Sequence, residues 1–259
     1  MGKSIAIVNQ KGGVGKTTSC VNLAAALTAQ GAKVLVCDFD PQGNATSGLG
    51  VDKAHSPGVY DAIIGGAPFS KAIVSTRWAD VAPANKALSG ATVELISLDR
   101  REFRLKDALD EVKGQYDFIF IDCPPSLELL TLDALCAADT LLVPVQCEYY
   151  ALEGLSDLLY TVRLAKQRLN PALELEGVLL TMYDGRTNLS LQVAEEVKRH
   201  FPGKVYATVI PRNVRLSEAP SHGLPVTAYD PLSRGSEAYL ALAGEFLAKN
   251  SVTFSLEKK

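Results

Sequence analysis

A lysine-flanked glycine run, Lys11-Gly12-Gly13-Val14-Gly15-Lys16-Thr17-Thr18, follows the apolar segment Ser4-Ile5-Ala6-Ile7-Val8 and precedes an Ala- and Leu-rich stretch. The first segment predicts a buried strand, and the second predicts a helix from about Thr17 to Gln30, stopped by Gly31. Gly12, Gly13 and Gly15 let the backbone curl close around oxygen atoms that side chains would hold away. A strand, a glycine turn and a helix in that order gather backbone N–H groups and a helix N-terminus around an anion. This unit directs the chain toward an α/β fold.

The rest of the sequence continues the alternation. Strands are predicted at Ser4–Val8, Lys33–Asp38, Asp117–Asp122, Thr140–Val145, Leu175–Met182 and Val205–Ile210, and further helices at Ala151–Leu169, Ser190–Phe201 and Ser236–Lys249. The pattern predicts a mostly parallel twisted sheet with helices on both faces. Ligands of such sheets bind beyond the carboxyl ends of the strands. Residues Asn9–Lys16, Asp38–Asn44, Asp122–Ser126 and Pro211–Asn213 should therefore share one edge. The segment 55–90, which holds the sole tryptophan, Trp78, reads as an irregular insertion. With 259 residues, 47% of them hydrophobic, and no flexible linker, residues 1–250 are expected to form one domain and 251–259 a C-terminal tail.

Gly15-Lys16-Thr17 fits the end of the P-loop pattern Gly-x-x-x-x-Gly-Lys-[Ser/Thr], but Gln10 stands at the first glycine position and Lys11 follows it. The run Gly12, Gly13, Val14, Gly15, Lys16, Thr17 and Thr18 is expected to cradle the phosphates of ATP. Lys16 would supply charge to the β- and γ-phosphates, and the Thr17 hydroxyl would ligate Mg²⁺. Asp122, at the end of the apolar strand Phe118-Ile119-Phe120-Ile121, is expected to hold the metal through water. Asp40, in Asp38-Phe39-Asp40-Pro41-Gln42-Gly43-Asn44, is placed either to orient the attacking water or to form a turn before proline.

A formal net charge of -3 and a pI near 5.7 exclude a protein that coats nucleic acid by bulk charge. Positive charge is local: residues 181–235 hold seven lysines and arginines against five carboxylates. Five cysteines (Cys20, Cys37, Cys123, Cys136, Cys147), with no Cys-x-x-Cys pair, read as core residues of a reducing cytoplasm. The N-terminus shows no signal-peptide pattern.

Together, Lys11–Thr18, Asp38–Asn44 and Ile121-Asp-Cys-Pro-Pro-Ser126 resemble the deviant Walker A ATPases of the ParA and MinD superfamily. The ParA/Soj chromosome-partitioning branch is the best match, through Val145-Gln-Cys-Glu-Tyr-Tyr-Ala-Leu-Glu-Gly154 and Val209-Ile-Pro-Arg-Asn-Val-Arg-Leu-Ser-Glu-Ala-Pro-Ser221. The resemblance runs from about residue 3 to residue 249. It implies a slow, Mg²⁺-dependent ATPase that forms a homodimer around two ATP molecules, binds double-stranded DNA non-specifically on the nucleoid and is stimulated by a ParB-like protein. It implies that Lys11 reaches the partner's phosphates, that Gly12 lies where the two loops approach, and that Asp40 serves hydrolysis. It further implies that Pro211 and Asn213 contact adenine and that Arg186 and Arg215 bind DNA. A MinD-like membrane switch is the alternative, and it requires an amphipathic C-terminal helix. Val252, Phe254 and Leu256 alternate instead, as in an extended chain, so no stable membrane association is expected. Iron-sulfur relatives of this loop require cluster ligands, whereas Cys123 and Cys136 read as core.

Overall fold

The computed structural model describes residues 2–148 and 151–254. Its strands, in chain order, are β1 (Lys3–Ile7), β2 (Val34–Asp38), β3 (Val74–Ser75), β4 (Asp80–Ala82), β5 (Phe118–Asp122), β6 (Thr140–Gln146) and β7 (Glu174–Thr181). They form one seven-stranded sheet in the order β3-β4-β2-β5-β1-β6-β7, parallel throughout except between β3 and β4. The helices are α1 (Lys16–Ala29), α2 (Asn44–Gly48), α3 (Val59–Ile63), α4 (Leu88–Leu95), α5 (Arg104–Asp110), α6 (Leu129–Ala137), α7 (Ala151–Arg168), α8 (Asn188–His200), α9 (Val214–Glu218), α10 (Val226–Tyr229) and α11 (Arg234–Lys249). The architecture is the mostly parallel α/β sheet with covering helices that the sequence predicts.

Strand β5 shows why both faces are covered. Successive side chains point to opposite sides, so Phe118 and Phe120 enter the core shared with α1 and α11, while Ile119 and Ile121 enter the core shared with α5, α6 and α8. Phe246 of α11 meets Phe118 edge-on at 5.1 Å between ring centres and Phe120 at 5.7 Å. No helix among the described residues is long and apolar enough to cross a membrane.

Two expectations need correction. Residues 205–210 do not form a strand. They follow β7 through single bridges and bonds such as Tyr206 N–H to Val178 O (2.9 Å) and Ile210 N–H to Leu180 O (2.8 Å). Between these, the Ala207 and Thr208 amides donate to the Glu245 carboxylate of α11, each at 2.8 Å, which breaks the ladder. Segment 55–90 is also more regular than expected, because it contributes β3 and β4, with β4 pairing parallel to β2. In the tail, Val252 and Phe254 pack against the α1/α11 core, and Leu256 lies outside the described residues.

Asp133 of α6 is fully buried and accepts from the Leu105 amide at 3.1 and 3.3 Å at the start of α5. Burial pushes its carboxyl up to about 8. An unfolded aspartate titrates near 4, so the stability associated with this group is fully present below about pH 4 and is lost as pH rises toward about 8. Asp133→Asn is expected to flatten the fall in stability between about pH 5 and about pH 8 by roughly 1 kcal/mol per pH unit. Denaturant titration of both chains checks this, and parallel profiles would refute it.

Candidate functional site

The glycine run lies between β1 and α1. Its entry is fixed by buried Asn9, whose Nδ2 donates to Pro144 O of β6 (2.8 Å) and whose Oδ1 accepts from the Lys11 amide (2.9 Å). Gly13 (φ 76°) and Gly15 (φ 89°) occupy the left-handed region that favours glycine. Gly15 caps α1 without a side-chain hydrogen bond, and the first turn carries no acid. The N–H groups of that turn are therefore available to an anion. Lys16 is buried, and its Nζ donates to Lys11 O at 3.1 Å. Burial lowers its pKa, partly offset by the nearby acids Asp122 and Asp40.

Strands β2 and β5 deliver carboxylates to the same edge, because Asp38 and Asp122 are direct neighbours in the ladder. Both are completely buried. Asp38 Oδ2 accepts from the Thr46 amide and hydroxyl, each at 2.7 Å, and burial raises its carboxyl to about 6 despite these bonds. The Asp122 carboxyl is likewise raised, first by burial and then by Asp38. Neither Asp122 oxygen has a hydrogen-bond partner of good geometry among the described residues, although the Thr17 hydroxyl is close enough to lower its pKa in part. A buried carboxylate in that condition is strongly disfavoured without a cation. Hydroxyl and carboxylate oxygens suit Mg²⁺, so Thr17 and Asp122 fit the metal. Asp40 Oδ1 accepts from the Gln42 amide at 2.9 Å across Pro41, so the aspartate before proline does form a turn. Its side chain remains at the rim of the same carboxylate cluster, where it acts on the titration of both Asp38 and Asp122.

A cavity of about 430 Å³ opens beside the loop, lined among others by Gly15, Thr17, Thr18, Pro211 and Asn213. Thus the loop and the 211–213 segment share one space. Asn213 Oδ1 accepts from the Arg215 amide at 2.8 Å and caps α9, which leaves its Nδ2 as the group able to donate. Gly12 and Gly13 are exposed, while Val14 is buried.

Three cations expected to act on other molecules are held by carboxylates within this chain. Lys11 Nζ pairs with Glu148 at 3.2 Å, and Glu148 also accepts from Gln146 Nε2. Arg186 makes a two-pronged contact with Asp184, from Nε at 2.9 Å and Nη2 at 2.7 Å, and holds that acid down to about 2. Arg215 pairs with Glu218 at 2.8 Å and Asp230 at 3.1 Å. Both arginines remain exposed. Within the branch motif 145–154, Tyr149 and Tyr150 lie outside the described residues. The sequence reading assigned no role to Asn9 or Glu148, although both lie in segments it singled out, and it missed Thr46 and Thr181. The last of these donates from Oγ1 to Val14 O at 2.8 Å.

A family model described as an AAA domain matches residues 2–175. The sporulation initiation inhibitor protein Soj of Bacillus subtilis is 61% identical over 251 residues, spanning 96% of this chain and 99% of that protein. The chromosome partitioning protein ParA of Myxococcus xanthus is 52% identical, spanning 97% of this chain and 90% of that protein. Among solved structures, cobyrinic acid a,c-diamide synthase from Mycobacterium smegmatis with bound ADP and magnesium superposes with a TM-score of 0.85 at 38% identity, covering 98% of this chain and 100% of that one.

Proposed function

This chain belongs to the ParA/Soj family of chromosome-partitioning ATPases, and from that premise we propose that it hydrolyses ATP as a nucleotide-bridged homodimer that binds double-stranded DNA without sequence preference. The observation that carries the reading is the pair of loop lysines in unlike settings. Lys16 is buried against the loop, whereas Lys11 is half-buried at the rim on a weak ion pair. One cation serves its own site, and the other is free to serve a neighbour's.

On this reading, the N–H groups of Gly12–Thr18 and the Lys16 ammonium bind the β- and γ-phosphates, with Lys16 exchanging Lys11 O for phosphate oxygen. Pro211 and the Asn213 amide hold adenine. Thr17, and Asp122 through a water, would hold Mg²⁺, which would supply charge neutralisation at the phosphates. Asp40 accepts a hydrogen bond from the attacking water and orients it. Lys11 of the partner subunit stabilises the charge that develops on the transferred phosphate. Intrinsic turnover is slow, a ParB-like protein stimulates it, and hydrolysis returns the protein from the nucleoid to the cytoplasm. The membrane-switch reading is less favoured because Val252 and Phe254 pack on the core outside any helix and do not form a helical stripe.

Gel filtration with ATP, with ADP and without nucleotide, followed by DNA binding in each state, tests the proposal. The dimer and the DNA affinity should appear together with ATP alone. A monomer in all three states would overturn it. For the DNA face, Arg186→Ala and Arg215→Ala should each weaken ATP-dependent binding by about 3- to 10-fold and lower the slope of log affinity against log salt by about one, with dimerisation unchanged. An unaltered slope across a salt titration would remove these arginines from the interface.

A further inference from the structure

We propose that the Thr181 hydroxyl is a positioning group that holds the phosphate-binding loop at a fixed distance from the base-binding segment. This rests on the nucleotide-site reading above. Thr181 ends β7 and is 2% exposed, and the Val14 residue it bonds is also 2% exposed, so water does not compete for the carbonyl. A trans peptide is planar, with its C=O and N–H on opposite sides. Drawing the Val14 carbonyl toward Thr181 at 2.8 Å therefore turns the Gly15 N–H away from β7. Gly15 has φ 89°, and a Cβ added there would stand 3.7 Å from Thr181 Cγ2, so the loop passes close enough to the strand that a side chain at this position would meet Thr181.

The end of β7 and the residues just past it hold the other half of the site. Ile210 N–H donates to Leu180 O at 2.8 Å, Tyr183 N–H to Ile210 O at 3.0 Å, and Arg212 N–H to Tyr183 O at 3.3 Å. Between these bonds Met182 adopts φ 49°, uncommon for a residue with a side chain. The kink falls where pairing with β6 ends at Thr181, while bonding to residues 210–212 continues through Tyr183. Thr181 thus sits at the junction, its hydroxyl on the loop and its backbone neighbours on the segment that bears Pro211 and Asn213. A fixed span between two subsites lets a ligand that touches both gain from each without a further ordering cost. Releasing the hydroxyl should therefore penalise ligands that bridge the span and spare those that occupy one end.

The test compares adenosine with ADP by calorimetry or competition. Thr181→Val, which preserves shape but removes the donor, should raise the ADP dissociation constant by about tenfold, while adenosine stays within about twofold and Thr181→Ser restores ADP affinity. Thr181→Ala, which leaves room for water at the Val14 carbonyl, provides the same comparison if the valine chain does not fold. Equal losses for adenosine and ADP would signify general damage and overturn the proposal, as would unchanged ADP affinity. Lys16→Ala is measured alongside. If it loses ADP while Thr181→Val does not, the hydroxyl's role alone falls. If neither loses ADP, the reading of the loop falls with it.

Discussion

Lys11→Ala should lower ATP turnover by about three orders of magnitude while changing the monomer's affinity for ATP by only about threefold. The unequal effect follows from where Lys11 sits. Its backbone belongs to the loop, with the amide held by Asn9 and the carbonyl by Lys16, and these contacts survive truncation of the side chain. The ammonium is engaged with Glu148 at 3.2 Å, and both partners are more than one-third exposed. An exposed ion pair is worth about 0–1 kcal/mol, so little opposes its transfer to a phosphate. Steady-state hydrolysis and nucleotide titration, run on the same preparation, check the split. A variant that hydrolyses at the parental rate would remove Lys11 from the chemistry, and one that no longer binds ATP would make it an ordinary part of the cradle.

Asp40→Ala is expected to reduce hydrolysis by about 10²- to 10⁴-fold and to leave ATP bound, so that the dimer persists on DNA. Asp40 also supports the turn through the Gln42 amide, and the variant could act through that turn alone. Asp40→Asn separates the two roles, since its amide oxygen can still accept from Gln42 but the charge is gone. The asparagine chain should be nearly as slow as the alanine chain in single-turnover assays. Recovery to the parental rate would make Asp40 a turn residue and nothing more.

The legible parts of this protein were those whose signal is local. Buried parallel strands are continuous apolar runs, and β2 and β5 close on aspartates. Their ends therefore located the site edge from sequence, and the glycine run located the loop. Residues 205–210 misled because the interruption comes from Glu245, a carboxylate 37 and 38 residues further along. β4 was hidden because its three residues, Asp80–Ala82, are too few to display a period. Thr46 and Thr181 have no distinguishing sequence context. Each matters because the fold brings it to a buried acceptor, Asp38 in one case and Val14 in the other. The pairing of Arg186 and Arg215 with acids was equally invisible, though Asp184 two residues before Arg186 and Glu218 three after Arg215 were the available hints.

The Lys11–Glu148 contact also bears on how two subunits can meet. In a twofold arrangement the same patch faces itself, so an interface with empty loops would bring lysine toward lysine. Pairing each with its own glutamate mutes that repulsion but supplies nothing for the opposite subunit to grip. In the proposed dimer a bound triphosphate would change the polarity of the meeting surface: each loop would present negative charge, and each lysine would have a better partner across the axis than within its own chain. Assembly would thereby be tied to the charge that fills the site, and an empty subunit would be refused by charge before shape is consulted.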